Sequence, residues 1–68
     1  MESFDKQKYI LKLLKNEIKG SSIENIIDFL DYINKVKYNT DEIEDILQDL
    51  ITEKKIYYRN NLYFNSNT

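Results

Sequence analysis

The sequence predicts an α+β domain in which three helices precede a C-terminal β-hairpin. Three observations carry that reading. Apolar residues recur at helical spacing through three successive stretches. Each stretch opens on a serine, threonine or asparagine able to cap it. After Lys55 the apolar period changes from about 3.6 to about 2, and two β-prone runs flank Asn60-Asn61. One domain takes in residues 1–68, with helices over about 4–19, 22–35 and 40–54 and a hairpin over about 56–65.

Sixty-eight residues leave no room for a second domain. A domain of this size is marginal and depends on good packing, or on support from a longer chain. Cysteine and histidine are both absent. That removes disulfides, thiolate metal sites, the commonest metal ligand and the commonest general base. No catalytic residue, metal or cofactor is expected. No apolar run approaches the roughly 20 residues of a membrane span. Met1-Glu2-Ser3-Phe4-Asp5 lacks the basic start and apolar stretch of a signal peptide. An intracellular setting, nucleus or cytoplasm, is the simplest expectation. The net charge of −2 does not recruit nucleic acid through bulk electrostatics.

Ser3 is positioned to cap the first helix, with Asp5 in its opening turn. Ile10, Leu13, Leu14 and Ile18 form its apolar stripe, widened by Tyr9 and Leu11. Lys6, Lys8, Lys12, Lys15 and Lys19 make the exposed face, against only Asp5 and Glu17. Gly20, the only glycine, is placed to end the helix in a left-handed conformation. Ser21 and Glu24 have the spacing of a capping box. The alternative is a short strand at Ser21 and Ser22 between the first two helices, and pattern alone does not separate the two readings. Ile23, Ile26, Ile27, Leu30 and Ile33 then repeat at helical spacing. Phe29, Tyr32 and Val36 add a second apolar edge, so this helix is expected to be buried on more than one side.

Residues 34–39 read as the turn into the third helix, which Asn39 or Thr40 can cap. Ile43, Ile46, Leu47, Leu50 and Ile51 form one stripe. Asp41 and Glu42 sit where the helix dipole favours anions, and Lys54 and Lys55 where it favours cations. Asn60-Asn61 suits a type I′ turn, which requires positive φ at both positions. That turn pairs Arg59 with Leu62, Tyr58 with Tyr63 and Tyr57 with Phe64. Tyr57 and Phe64 then share one face, and Tyr58 and Tyr63 the other. Residues 66–68 read as a frayed tail. The rival is a three-helix bundle with a disordered tail. The strand propensity of Ile56-Tyr57-Tyr58 and Leu62-Tyr63-Phe64 favours the hairpin, and with it a winged helix.

Winged helices, a helix-turn-helix variant, often lay the third helix in the major groove of DNA. Here that helix carries Asp41, Glu42, Glu44, Asp45, Asp49 and Glu53 before any lysine. A carboxylate in contact with a phosphate is repelled by about 1 kcal/mol in water, and by more when desolvated. Nucleic acid is therefore not expected on the third helix. Each acid alone reads as solvated, but the run suits a docking surface for a basic protein. The candidate contacts are Asp45, Asp49 and Glu53 on the helix and Tyr57, Arg59 and Tyr63 on the hairpin. Tyr57 and Tyr63 are chosen because they lie on opposite hairpin faces, of which only one can be buried. Tyr9, Tyr38 and Tyr58 read as core or edge residues. The lysines of the first helix read as a solvated face or a weak phosphate patch, and Arg59 as a rim charge or a minor-groove contact. Asp41/Asp45 and Asp45/Asp49 are paired at i, i+4, but no histidine, glycine-rich loop or serine elbow accompanies them.

Tyr9-Ile10-Leu11-Lys12-Leu13-Leu14-Lys15-Asn16, Ser22-Ile23-Glu24-Asn25-Ile26-Ile27-Asp28-Phe29-Leu30, residues 42–50, Ile56-Tyr57-Tyr58 and Leu62-Tyr63 carry a family likeness. Over about residues 9–65 the chain resembles the C-terminal winged-helix domain of cullin-family scaffolds. The nearest likeness is to the cullin-like subunit of the anaphase-promoting complex, a cell-cycle ubiquitin ligase. The resemblance implies a domain without an active site. It would sit beside a RING subunit and help to hold or orient a ubiquitin-conjugating enzyme, whose basic first helix would suit an acidic third helix and an aromatic wing. In ordinary cullins the motif at residues 9–15 ends in a lysine that accepts a ubiquitin-like modifier, and Lys15 holds that place. The flanking basic residues are replaced by Asn16-Glu17, and the cullin C-terminal aromatic pattern is not reproduced, which leaves Lys15 as a solvated lysine.

Gly20-Ser21-Ser22-Ile23-Glu24-Asn25-Ile26-Ile27 and Ile46-Leu47-Gln48-Asp49-Leu50 through Ile56-Tyr57 also resemble the C-terminal winged helix of minichromosome-maintenance helicases. The winged helix of the middle subunit of replication protein A is a more distant likeness. These resemblances imply the alternative function, a DNA-associated domain of a replication or transcription protein.

Overall fold

Asp5 opens the first helix. In the computed structural model, which describes residues 5–66, α1 runs Lys6–Asn16 and the Asp5 carboxylate accepts from the Lys8 amide at 3.1 Å. The expected cap, Ser3, lies outside the described residues. The helix also stops short of residue 19. Glu17 leaves helical geometry, and Gly20, at φ 86°, donates back to the Glu17 carbonyl. The left-handed glycine is therefore in the connection, not at the helix end. Ile18 consequently falls off the apolar stripe and is 81% exposed.

The connection is short because it delivers Ser21 to the hairpin. Ser21 and Tyr63 exchange both backbone hydrogen bonds, at 3.0 and 2.8 Å. This resolves the two readings of the serines: Ser21 pairs as a strand, and Ser22 caps α2 (Ile23–Asn34) by accepting from the Asn25 amide. Ile26 and Leu30 are fully buried, with Ile23, Ile27 and Phe29 packed beside them. Of the expected second edge, Phe29 packs against the core but Tyr32 and Val36 do not. Tyr32 is 82% exposed and Val36 is exposed, because α2 ends at Asn34 and packs through one face. Lys35 reverses the chain in a left-handed conformation, and the Asp31 carboxylate accepts from the Tyr38 amide across the turn.

Asn39 caps α3 (Thr40–Thr52), accepting from the Glu42 amide at 2.7 Å. The stripe behaves as its spacing predicts: Ile43, Leu47 and Leu50 are fully buried, and Ile46 and Ile51 partly so. The helix ends in a Schellman motif. Lys54, at φ 63°, donates to the Ile51 carbonyl, and Lys55 donates to that of Leu50. Fully burying one such Leu or Ile side chain is worth about 1.5–3 kcal/mol, so this core, shared with Ile10, Leu14 and Ile56, is the main stabilising term.

The hairpin, β1 (Ile56–Arg59) and β2 (Leu62–Asn65), has the register its turn predicts. Asn60 and Asn61 both take positive φ, at 52° and 65°. Ile56, Tyr63 and Asn65 form the buried side of the ribbon. Asn65 reaches α1, donating to the Leu11 carbonyl at 3.4 Å. Ser66, expected in a frayed tail, donates to the Lys55 carbonyl; residues 67 and 68 lie outside the described set. Three helices and a two-stranded antiparallel ribbon, with Ser21 bridged to it, make an α+β arrangement compatible with a winged-helix-like fold.

Candidate functional site

The acids of α3 are set by helix geometry. Apolar side chains on successive turns, Ile43, Leu47 and Leu50, hold one face inward, so the opposite positions face solvent. Asp45, Asp49 and Glu53 follow one another at i+4 spacing and all three are exposed. Asp45 and Asp49 have no cationic partner among the described residues. Glu53, just past the helix end, pairs with Lys55 at 3.1 Å, and Glu42 pairs with Lys6 of α1 at 3.5 Å. Both pairs are solvent-accessible and contribute little to stability.

The hairpin candidates divide by face. Tyr57 stacks on Phe64 with ring centroids 5.0 Å apart and planes within 12°, and Tyr57 and Arg59 are both exposed. Tyr63 is different: it is 9% exposed and belongs to the core. Strand alternation places it on the same side as Ile56 and Asn65, which pack against the helices. The expectation of an exposed Tyr63 ring is therefore corrected: the ring belongs to the core and only its edge can meet a cleft, while Asp45, Asp49, Glu53, Tyr57 and Arg59 are all accessible. Tyr58, read as core or edge, is 51% exposed.

Between α2, α3 and the hairpin lies a cleft of about 300 Å³, lined by Ile23, Glu24, Glu44, Tyr58, Asn61 and Tyr63. The first turn of α2 supplies Glu24, and α3 supplies Glu44. Both acids are exposed, and neither pairs with a cation among the described residues. The aromatic wall is held by two side-chain contacts besides the Ser21–Tyr63 backbone bridge. The Tyr58 hydroxyl donates to the Asn61 side-chain oxygen at 2.9 Å, and the Tyr58 and Tyr63 rings sit 4.7 Å apart, tilted by 51°. Burial pushes the Tyr63 phenol above its ordinary value of 10.0, and the neighbouring Tyr58 phenol and Glu44 carboxylate push the same way.

Sequence reasoning did not assemble this cleft. The predicted register does place Tyr58 opposite Tyr63. Glu24, however, reads as half of a capping box, and Glu44 as one acid among six on α3. No local signal links an α2 first-turn glutamate to a hairpin tyrosine, because the contact depends on how three elements meet.

A second, more open cleft of about 650 Å³ lies along α1. Lys8, Lys12 and Lys15 line it, joined by Lys55 from the turn after α3, with Leu11 and Asn65 at its floor. Four of the ten basic residues, Lys6, Lys8, Lys12 and Lys15, thus lie on α1, and none lies on α3. Among the described residues no helix is long and apolar enough to cross a membrane. No protein-family model, curated protein or solved structure matches the chain.

Proposed function

We propose that this domain is a non-catalytic docking module that binds a basic protein surface through α3 and the wing. One observation carries the reading. The helix that a DNA-binding winged helix would present to phosphate instead presents an exposed line of carboxylates, among them Asp45 and Asp49, which pair with no cation among the described residues. Tyr57 and Arg59 add an aromatic and a bidentate donor on the outer hairpin face, residue types that anchor protein interfaces. In its specific form, which rests on the family resemblance, the module belongs to a cullin-like ubiquitin-ligase scaffold. It would help to orient a ubiquitin-conjugating enzyme beside a RING subunit.

The lysine groove on α1 favours a second reading, a DNA-associated winged helix of a replication or transcription protein. Titrating isotope-labelled protein with a panel of ubiquitin-conjugating enzymes, and separately with duplex DNA, discriminates the two. The docking reading expects amide shifts on α3 and the wing with an enzyme. The double variant Asp45→Lys/Asp49→Lys should weaken that binding at least about tenfold with the fold intact, since like charges then face each other. DNA binding that moves the α1 lysines and Arg59, falls steeply with salt and leaves every enzyme silent would establish the second reading instead.

A further inference from the structure

We infer that the cleft between α2, α3 and the hairpin receives the guanidinium of an arginine side chain from the protein partner. This rests on the docking reading above and adds a defined anchor to it. Two carboxylates from different helices, Glu24 and Glu44, line one small cleft, and neither is neutralised by a described cation. The second observation is independent of the acids. Tyr63 is more than nine-tenths buried and lines the same cleft; its hydroxyl makes no hydrogen bond to any described residue, and its oxygen is not sealed from solvent, so it opens on the cleft. Its oxygen can accept from an incoming N–H.

The wall selects among cations. Tyr58 offers a half-exposed ring, held by its bond to Asn61 and its contact with Tyr63. A guanidinium stacks flat on such a ring while its N–H fork reaches carboxylates at its edge. An ammonium has no face to stack and is more strongly hydrated. A cleft of about 300 Å³ has room for one long side chain and little else.

The test titrates isotope-labelled protein with three acetylated, amidated tripeptides: Gly-Arg-Gly, its neutral citrulline counterpart and Gly-Lys-Gly. The arginine peptide is expected to give saturable amide shifts at Glu24, Glu44, Asn61 and Tyr63. Glu24→Gln/Glu44→Gln, both at exposed positions, should weaken it about tenfold, as loss of two accessible charge pairs requires. The citrulline peptide should be weaker by a similar factor, and the lysine peptide by several-fold. Equal response to citrulline or to lysine would overturn the inference. So would arginine-induced shifts centred on Asp45 and Asp49 that persist in the double glutamine variant, although the docking reading would then stand. Arginine-peptide binding at the cleft with every basic protein silent would overturn the docking reading alone.

Discussion

The cleft lined by Glu24, Glu44, Tyr58 and Tyr63 and the groove lined by Lys8, Lys12, Lys15 and Lys55 both border β2, the first at Tyr63 and the second at Asn65. They differ in how their walls are held. The acidic cleft draws on three elements, and its aromatic wall is fixed by a backbone bridge, a ring contact and a side-chain hydrogen bond. The lysine groove carries its charge on long flexible stems, three from α1 and one, Lys55, already paired with Glu53. A fixed wall loses little freedom when a ligand arrives, whereas flexible stems must be ordered. The first is therefore suited to discriminating one side chain from another. The second suits charge attraction that salt screens away.

Removing the shared core breaks the comparison most severely. Leu47→Ala on α3 empties a fully buried site, and such changes cost about 2–5 kcal/mol. That is a large share of the few kcal/mol that a domain of this size holds. Urea unfolding followed by circular dichroism should show the loss, and arginine-peptide binding should go with it. Binding that survived in the unfolded variant would mean that the cleft is not needed for it.

Gly20→Ala is expected to act more locally. Gly20 sits at φ 86°, and a Cβ there would lie 2.7 Å from the Phe64 ring. Left-handed geometry costs a side-chain-bearing residue about 1–2 kcal/mol. Because Gly20 precedes the Ser21–Tyr63 bridge, the cost should fall on the acidic cleft. Hydrogen exchange should accelerate at the Ser21 and Tyr63 amides and change little along α1. Uniform loss of protection would mean that the two clefts are not independently held.

The smallest effect is on alkaline stability and sharpens the role of one phenol. Tyr63 is raised above 10.0 in the folded state, first by burial. Below pH 10.0 both states keep the proton, so its contribution is intact. As pH rises past that value the unfolded chain releases the proton first, and stability falls until the folded value is passed. Denaturant melts of Tyr63→Phe should lack that part of the decline, while differing from the parent by less than about 0.5 kcal/mol at neutral pH. A parallel decline in both proteins would remove Tyr63 from the account.

Much of this arrangement was legible in the residues. The Asn60-Asn61 turn set the hairpin register, and the spacing of Ile43, Leu47 and Leu50 set the buried face of α3. What was not legible depended on contacts distant in the chain. Alternation placed Tyr57 and Tyr63 on opposite faces but could not say which face the helices would cover. The pairing of Ser21 with Tyr63 decided where α1 must stop, and so stranded Ile18. The accessible acids of α3 were readable from periodicity. The cleft was not, since Glu24 reaches it only through tertiary packing.

The chain turns its corners on Lys35, Lys54, Asn60 and Asn61, all at positive φ, and on a single glycine. The lysines bear a conformational cost that glycine would not. Sequence drift at Lys35 and Lys54 can therefore run toward glycine without strain, and asparagine already tolerates its two positions. Gly20 has no such latitude, because its backbone angle and the Phe64 ring restrict it together. Among related chains, variation should be free at the lysine corners and absent at Gly20, so that this one position marks the fold more dependably than any charged residue on its surface.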